Sequence, residues 1–99
     1  MAKFALYVEL KAKAGKEAEV EAFLKQGAEM AKAEPGTIHW YGFKKDKGGV
    51  FGVFDTFNDE AGRDAHLNGP IAKALMASAD ALFSEAPKIH KINLIAEKV

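Results

Sequence analysis

His66 is the residue in this chain best placed to do chemistry. It sits in the run EAGRDAHLNGP, and on a helix Ala61, Gly62, Ala65, His66 and Gly69 fall on one face. The neighbours of the imidazole on that face are all very small. Packed against a sheet, such a face leaves space, and an apolar space with one titratable group is the usual form of a small-ligand site. Imidazole there takes or gives a proton near neutral pH. The same pattern also suits a core histidine whose nitrogens bond backbone carbonyls. Trp40, Phe54 and Phe57 are the candidate aromatic walls, the choice among them set by strand register.

Other chemistries find less support. His39, His66 and His90 lie on three different predicted elements with no paired spacing, so no metal site is expected. Ser78 and Ser84 lack the strand–turn–helix elbow of a nucleophile. Gly48, Gly49 and Gly52 fall in a hairpin and a strand, so they read as turn residues and no flavin or nicotinamide grip is expected. There is no cysteine, which removes disulfides, thiol nucleophiles and thiolate metal sites.

The elements that must position His66 follow from the periodicity. Residues 3–12 alternate, with Phe4, Leu6, Val8 and Leu10 on one side, and read as a strand. From about Lys16 to Ala33, Val20, Phe23, Leu24, Gly27, Ala28 and Ala31 mark one helix face, ended by Pro35-Gly36. Thr37–Lys44 and Val50–Phe57 are strands joined by a short polar loop, hence an antiparallel hairpin. Asn58 is the expected N-cap of a helix reaching about Asn68. Gly69-Pro70 marks a bend, after which Ile71, Leu75, Ala79 and Leu82 form a second buried stripe. Lys88–Glu97 is the last strand. The order β-α-β-β-α-β with right-handed crossovers predicts an α+β, ferredoxin-like sandwich with a four-stranded antiparallel sheet, one domain over residues 1–99.

Totals set the outer bounds. Apolar residues make up 48% and charged residues 28%, an ordinary globular balance. Fourteen basic residues offset fourteen acidic ones, so neither a nucleic acid nor an anionic membrane is an expected partner. No apolar run approaches the ~20 residues of a membrane span. The N-terminal MAKFALYVELKAK alternates instead of forming a signal-peptide block, and the expected location is cytoplasmic. If both helices cover one sheet face, Tyr7, His39, Tyr41 and Phe43 are left on the other. An aromatic patch of that kind predicts a homodimer burying sheet against sheet.

Three stretches carry a family resemblance: EAGRDAHLNGPIAKALM, EPGTIHW and the ending Asp55-Thr56-Phe57 of the third strand. They resemble the antibiotic biosynthesis monooxygenase family, which includes quinol monooxygenases, and the similarity spans nearly the whole chain. It implies a ferredoxin-like subunit paired into a dimeric α/β barrel, with a pocket between the sheet and the second helix. Members of the family oxygenate phenols, quinols or anthrones with O₂ and without flavin, haem or metal. By this resemblance His66 matches the histidine of the AHL motif and is the candidate base or substrate partner, and Asp55 matches the strand acid. Trp40, Phe54, Phe57 and Met76 are the expected pocket residues. Ile71 stands where many relatives carry a second histidine. Val8 and Met76 stand where haem-degrading relatives place an asparagine and the axial histidine. The resemblance therefore leaves two rival classes: a non-catalytic ligand-binding or stress-response barrel, and an isomerase of a small metabolite.

Overall fold

Alternating apolar residues make one face of each strand stick to a helix layer, and that rule builds most of this molecule. The computed structural model describes residues 3–98. The elements are β1 (Phe4–Lys11), α1 (Glu17–Ala31), β2 (Thr37–Lys44), β3 (Val50–Phe57), α2 (Glu60–Leu67), α3 (Pro70–Leu82) and β4 (Lys88–Asn93). The sheet order is β2-β3-β1-β4, with every pairing antiparallel. This is the expected α+β, ferredoxin-like sandwich, with the second helix broken in two at Gly69-Pro70. Proline opens α3 because its missing N–H is one the first helical turn leaves unpaired anyway.

The core lies between the sheet and the helices. Leu10 and Phe51 from the central strands meet Val20 and Leu24 of α1 and Leu75 and Leu82 of α3. Burial of this kind is worth roughly 1.5–3 kcal/mol for each large apolar side chain. At Gly27, α1 approaches Trp40 so closely that an added Cβ would lie 2.9 Å from the indole Cη2. Alanine there gains roughly 0.5–1 kcal/mol of helix propensity, but overpacking costs about 1–3 kcal/mol. We therefore expect Gly27→Ala to lower stability and shift the emission of Trp40, the sole tryptophan, in urea unfolding followed by fluorescence.

Two local expectations are corrected. The helix after β3 is capped by Asp59, not Asn58: Asp59 is extended and its carboxylate accepts from the Gly62 N–H at 2.7 Å. A cap must reach an amide two or three residues on, and Asp59 adds the charge that a helix N-terminus favours. β4 ends at Asn93 instead of Glu97, because Asn93 pairs with Phe4 at the start of β1. The Leu94 N–H to Lys3 carbonyl bond is the last between the two segments among the described residues, and Ile95 stands exposed. In β2 a register shift between Thr37 and His39 leaves Ile38 unpaired and exposed.

The sheet face turned away from the helices carries Tyr7, His39, Tyr41, Phe43, Phe54 and His90. Tyr7 stacks on Phe43 and His90, and His39 stacks on Tyr41. His39 also contacts the Thr56 hydroxyl at 3.0 Å. Tyr41 is 55% exposed, so the aromatic strip ends in open surface.

Candidate functional site

The face of β3 that carries Val53, Asp55 and Phe57 turns towards α2 and α3. It puts a carboxylate into the core: Asp55 is 1% exposed. His66 reaches it from α2, with Nε2 2.9 Å from Asp55 Oδ2. On its other side, His66 Nδ1 lies 2.6 Å from Glu34 Oε1, contributed by the turn after α1. Phe57 packs against the ring, centroids 5.4 Å apart. Glu34, His66 and Asp55 thus stand in a row, with one carboxylate at each ring nitrogen. The row holds no common centre on which the three could converge, and among the described residues no cluster is arranged to hold a metal ion.

Electrostatics follow from that row. Burial by itself pushes the His66 pKa down, but the Asp55 and Glu34 carboxylates, one beside each ring nitrogen, outweigh it and hold it above the usual histidine value. The two carboxylates thus favour the protonated ring, an imidazolium that donates from Nδ1 to Glu34 and sets its Nε2 edge against Asp55. Such a ring has no lone pair with which to accept a further proton. Burial is also the largest influence on Asp55; reinforced by the Glu34 charge and opposed by His66, it raises that carboxyl above the ordinary carboxylate range. The Nε2–Oδ2 contact is close enough for an ion pair but off the hydrogen-bond line, so neither Asp55 oxygen has a well-aligned donor among the described residues.

An apolar cavity of about 40 Å³ opens beside the row, lined by Val8, Phe23, Trp40, Ile71 and Leu75 together with Asp55 and His66. Trp40 pairs across the hairpin with Asp55, and its indole N–H is also buried, without a partner among the described residues. The residues that carry this donor and these two under-used acceptors therefore line one apolar space. Trp40 also borders two surface grooves beside α1, so its ring stands between the interior and solvent.

The structure brings together His66, Asp55 and Trp40 at this cavity and sets Phe57 behind the imidazole. Phe54 and Met76 need correcting. Phe54 alternates with Asp55 and points to the opposite sheet face, level with Tyr7 and Tyr41. Met76 is 57% exposed on α3, one position past Leu75, which faces the cavity in its place. The small residues also sit elsewhere than expected. Ala61 and Ala65 are exposed, and the stripe faces the Glu34–Gly36 turn, where Gly36 and Gly62 pass within one side chain's width of each other. A groove of about 200 Å³ lies there, bordered by Glu34 and His66.

Two residues escape the sequence reading. Glu34 reads as the last polar residue before a helix stop; its place in EPG beside the turn is the only signal. Arg63 is buried on α2, donating to the Ile92 carbonyl at 3.1 Å and lying over the Phe4 ring. It ties α2 to both β1 and β4, and its long apolar stem lets a cation fill a core position.

Comparisons with known proteins bear on the family and the fold. The family model for antibiotic biosynthesis monooxygenase matches residues 3–78. This chain belongs to the antibiotic biosynthesis monooxygenase family. Among solved structures, a Nitrosomonas europaea protein of unknown function is 52% identical over 100% of this chain and 95% of its own, with TM-score 0.94. A Caulobacter crescentus protein provisionally named an antibiotic biosynthesis monooxygenase is 22% identical over 96% of this chain and 92% of its own, with TM-score 0.83. Rv0793 of Mycobacterium tuberculosis is 15% identical over 99% and 100%, with TM-score 0.87. The last two share the fold. No curated protein matches the chain.

Proposed function

We propose that the protein is a cofactor-independent monooxygenase of a small phenol, quinol or anthrone, with Asp55 as proton acceptor and His66 as a fixed cation beside it. The observation that carries this reading is a buried carboxylate with under-used oxygens, paired to His66 and lining an apolar cavity that Trp40 also lines, its indole N–H without a partner among the described residues. A phenolic hydroxyl satisfies both groups at once, accepting from the indole and donating to Asp55. Its O–H proton passes to Asp55, and the phenolate left behind is held by the Trp40 N–H and the His66 charge. Electron-rich phenolate then gives one electron to O₂. The resulting radical pair combines to form a C–O bond, the peroxide takes its proton from Asp55, and loss of water leaves a carbonyl. The protein supplies base, charge and shelter from water, while the oxidising power is that of O₂.

Entry requires movement. An aromatic ring fits a cavity on the order of 150 Å³, larger than the 40 Å³ found here, and the Trp40 ring is the wall whose displacement would join the cavity to the grooves. A non-catalytic binding barrel is the second reading, favoured by this small and largely apolar space. Oxygen uptake by the protein, stripped of metal with a chelator, against hydroquinones, naphthoquinols and anthrones separates the two. Saturable uptake supports the oxygenase, and ligand-induced thermal stabilisation without uptake supports the binder.

The working unit in this proposal is a homodimer joined through the aromatic sheet face, in the cytosol. Among the described residues no helix is long and apolar enough to cross a membrane. A charge placed in the middle of that face would have to be buried by association. Phe54→Lys is accordingly expected to give a folded monomer by light scattering coupled to size exclusion, where the parent chain runs as a dimer.

A further inference from the structure

The Asp55–His66 pair does not stand alone, and its third member lies on the solvent side. Glu34 borders the 200 Å³ groove, its side chain 18% exposed, whereas Asp55 borders the interior cavity. The His66 ring lines both spaces and is the wall between them. Glu34 Oε1 meets His66 Nδ1 at 2.6 Å and also accepts the Thr37 hydroxyl at 2.8 Å. The turn itself fixes the glutamate: the Thr37 N–H donates to the Glu34 carbonyl, and Gly36 packs on Gly62 at a distance that a side chain would disturb. Among the described residues no other titratable side chain lines either space, so the charged groups facing His66 are Asp55 from β3 and Glu34 from the turn.

We propose that Glu34 is a positioning residue: it clamps the Nδ1 edge of His66 from the groove, so that Nε2 faces Asp55 and the ring seals the interior cavity. The role rests on the oxygenase reading for its catalytic meaning, but the clamp is a property of the free protein. A ring released from Glu34 would be free to turn about its side-chain bonds, and Asp55 would lose its fixed countercharge. Thr37 supports the clamp by holding the carboxylate rotamer.

The test needs no substrate. The imidazole of His66 is titrated by NMR in the parent chain, in Glu34→Gln and in Thr37→Val, with His39 and His90 on the open face as internal controls. Glutamine keeps the size and an acceptor oxygen but removes the charge. An opposite charge in direct contact typically moves a pKa by about 1–3 units, so Glu34→Gln is expected to lower the His66 pKa by at least about one unit while the controls stay put. A smaller fall, with the fold intact by circular dichroism, overturns the proposal. Should Glu34→Gln fail to fold, Thr37→Val decides: a lowered His66 titration supports the clamp and an unchanged one overturns it. Because no turnover is measured, failure here is distinct from failure of the oxygenase reading. Where a turnover assay exists, Glu34→Gln should move the pH profile of kcat and leave KM nearly unchanged.

Discussion

His66→Ala is expected to lower the unfolding free energy at pH 7 by about 3–5 kcal/mol, the usual result of removing one partner from a buried ion pair. The cost arises because Asp55 is left as a buried charge without its cation. A loss of 1 kcal/mol shifts the Tm of a domain this size by roughly 4–8 °C, so the fall should exceed about 12 °C. Replacing both partners removes the stranded charge, and Asp55→Leu/His66→Leu should recover most of the loss while remaining inactive. Urea unfolding of the single and double variants checks this directly. If the single and double variants are equally unstable, the ion pair is not the cause.

The pH dependence has a definite sign. His66 binds its proton more tightly folded than unfolded. Its contribution to stability is therefore complete below the ordinary histidine pKa and is lost as pH rises through the raised folded value. The raised Asp55 pKa acts in the same direction, its contribution lost as the carboxyl ionises with rising pH. Unfolding curves taken from neutral into mildly alkaline conditions should show stability declining, and this decline should vanish in the Asp55→Leu/His66→Leu variant.

Asp55→Asn carries the second large effect, this time on turnover. Asparagine retains the shape of the side chain and an oxygen facing His66 Nε2, so the fold should survive. It cannot accept a proton. General base catalysis is typically worth ~10²–10⁴, and kcat should fall by about that factor with KM changed far less. His66→Gln is expected to act in the same direction, because the phenolate and the ionised row then lose their cation.

Most of the fold was legible because period-two and helical patterns report burial directly. Thr37–Lys44 and Val50–Phe57 match the observed β2 and β3 end for end. The N-cap was displaced by one residue because Asn58 and Asp59 are both good caps, and only the reach to Gly62 chooses between them. The end of β4 depends on how far β1 extends, which is a property of the partner strand. For the site, His66 and Asp55 were visible by residue type and motif, but their contact joins β3 to α2 and leaves no local signature. Glu34 was harder still: it lies 32 residues before His66 in sequence and reads as surface until the Gly36–Gly62 approach brings its turn onto α2. Phe54 shows the opposite failure, an aromatic that fits a pocket by type and is sent to the other face by strand alternation.

The most direct test of the account is oxygen uptake by the metal-stripped protein on hydroquinones, naphthoquinols and anthrones, with Asp55→Asn measured alongside. Saturable uptake that survives chelators and falls at least ~100-fold in the variant is the predicted result. Uptake unchanged in Asp55→Asn, or saturable binding of these phenols with no oxygen consumed, would contradict it.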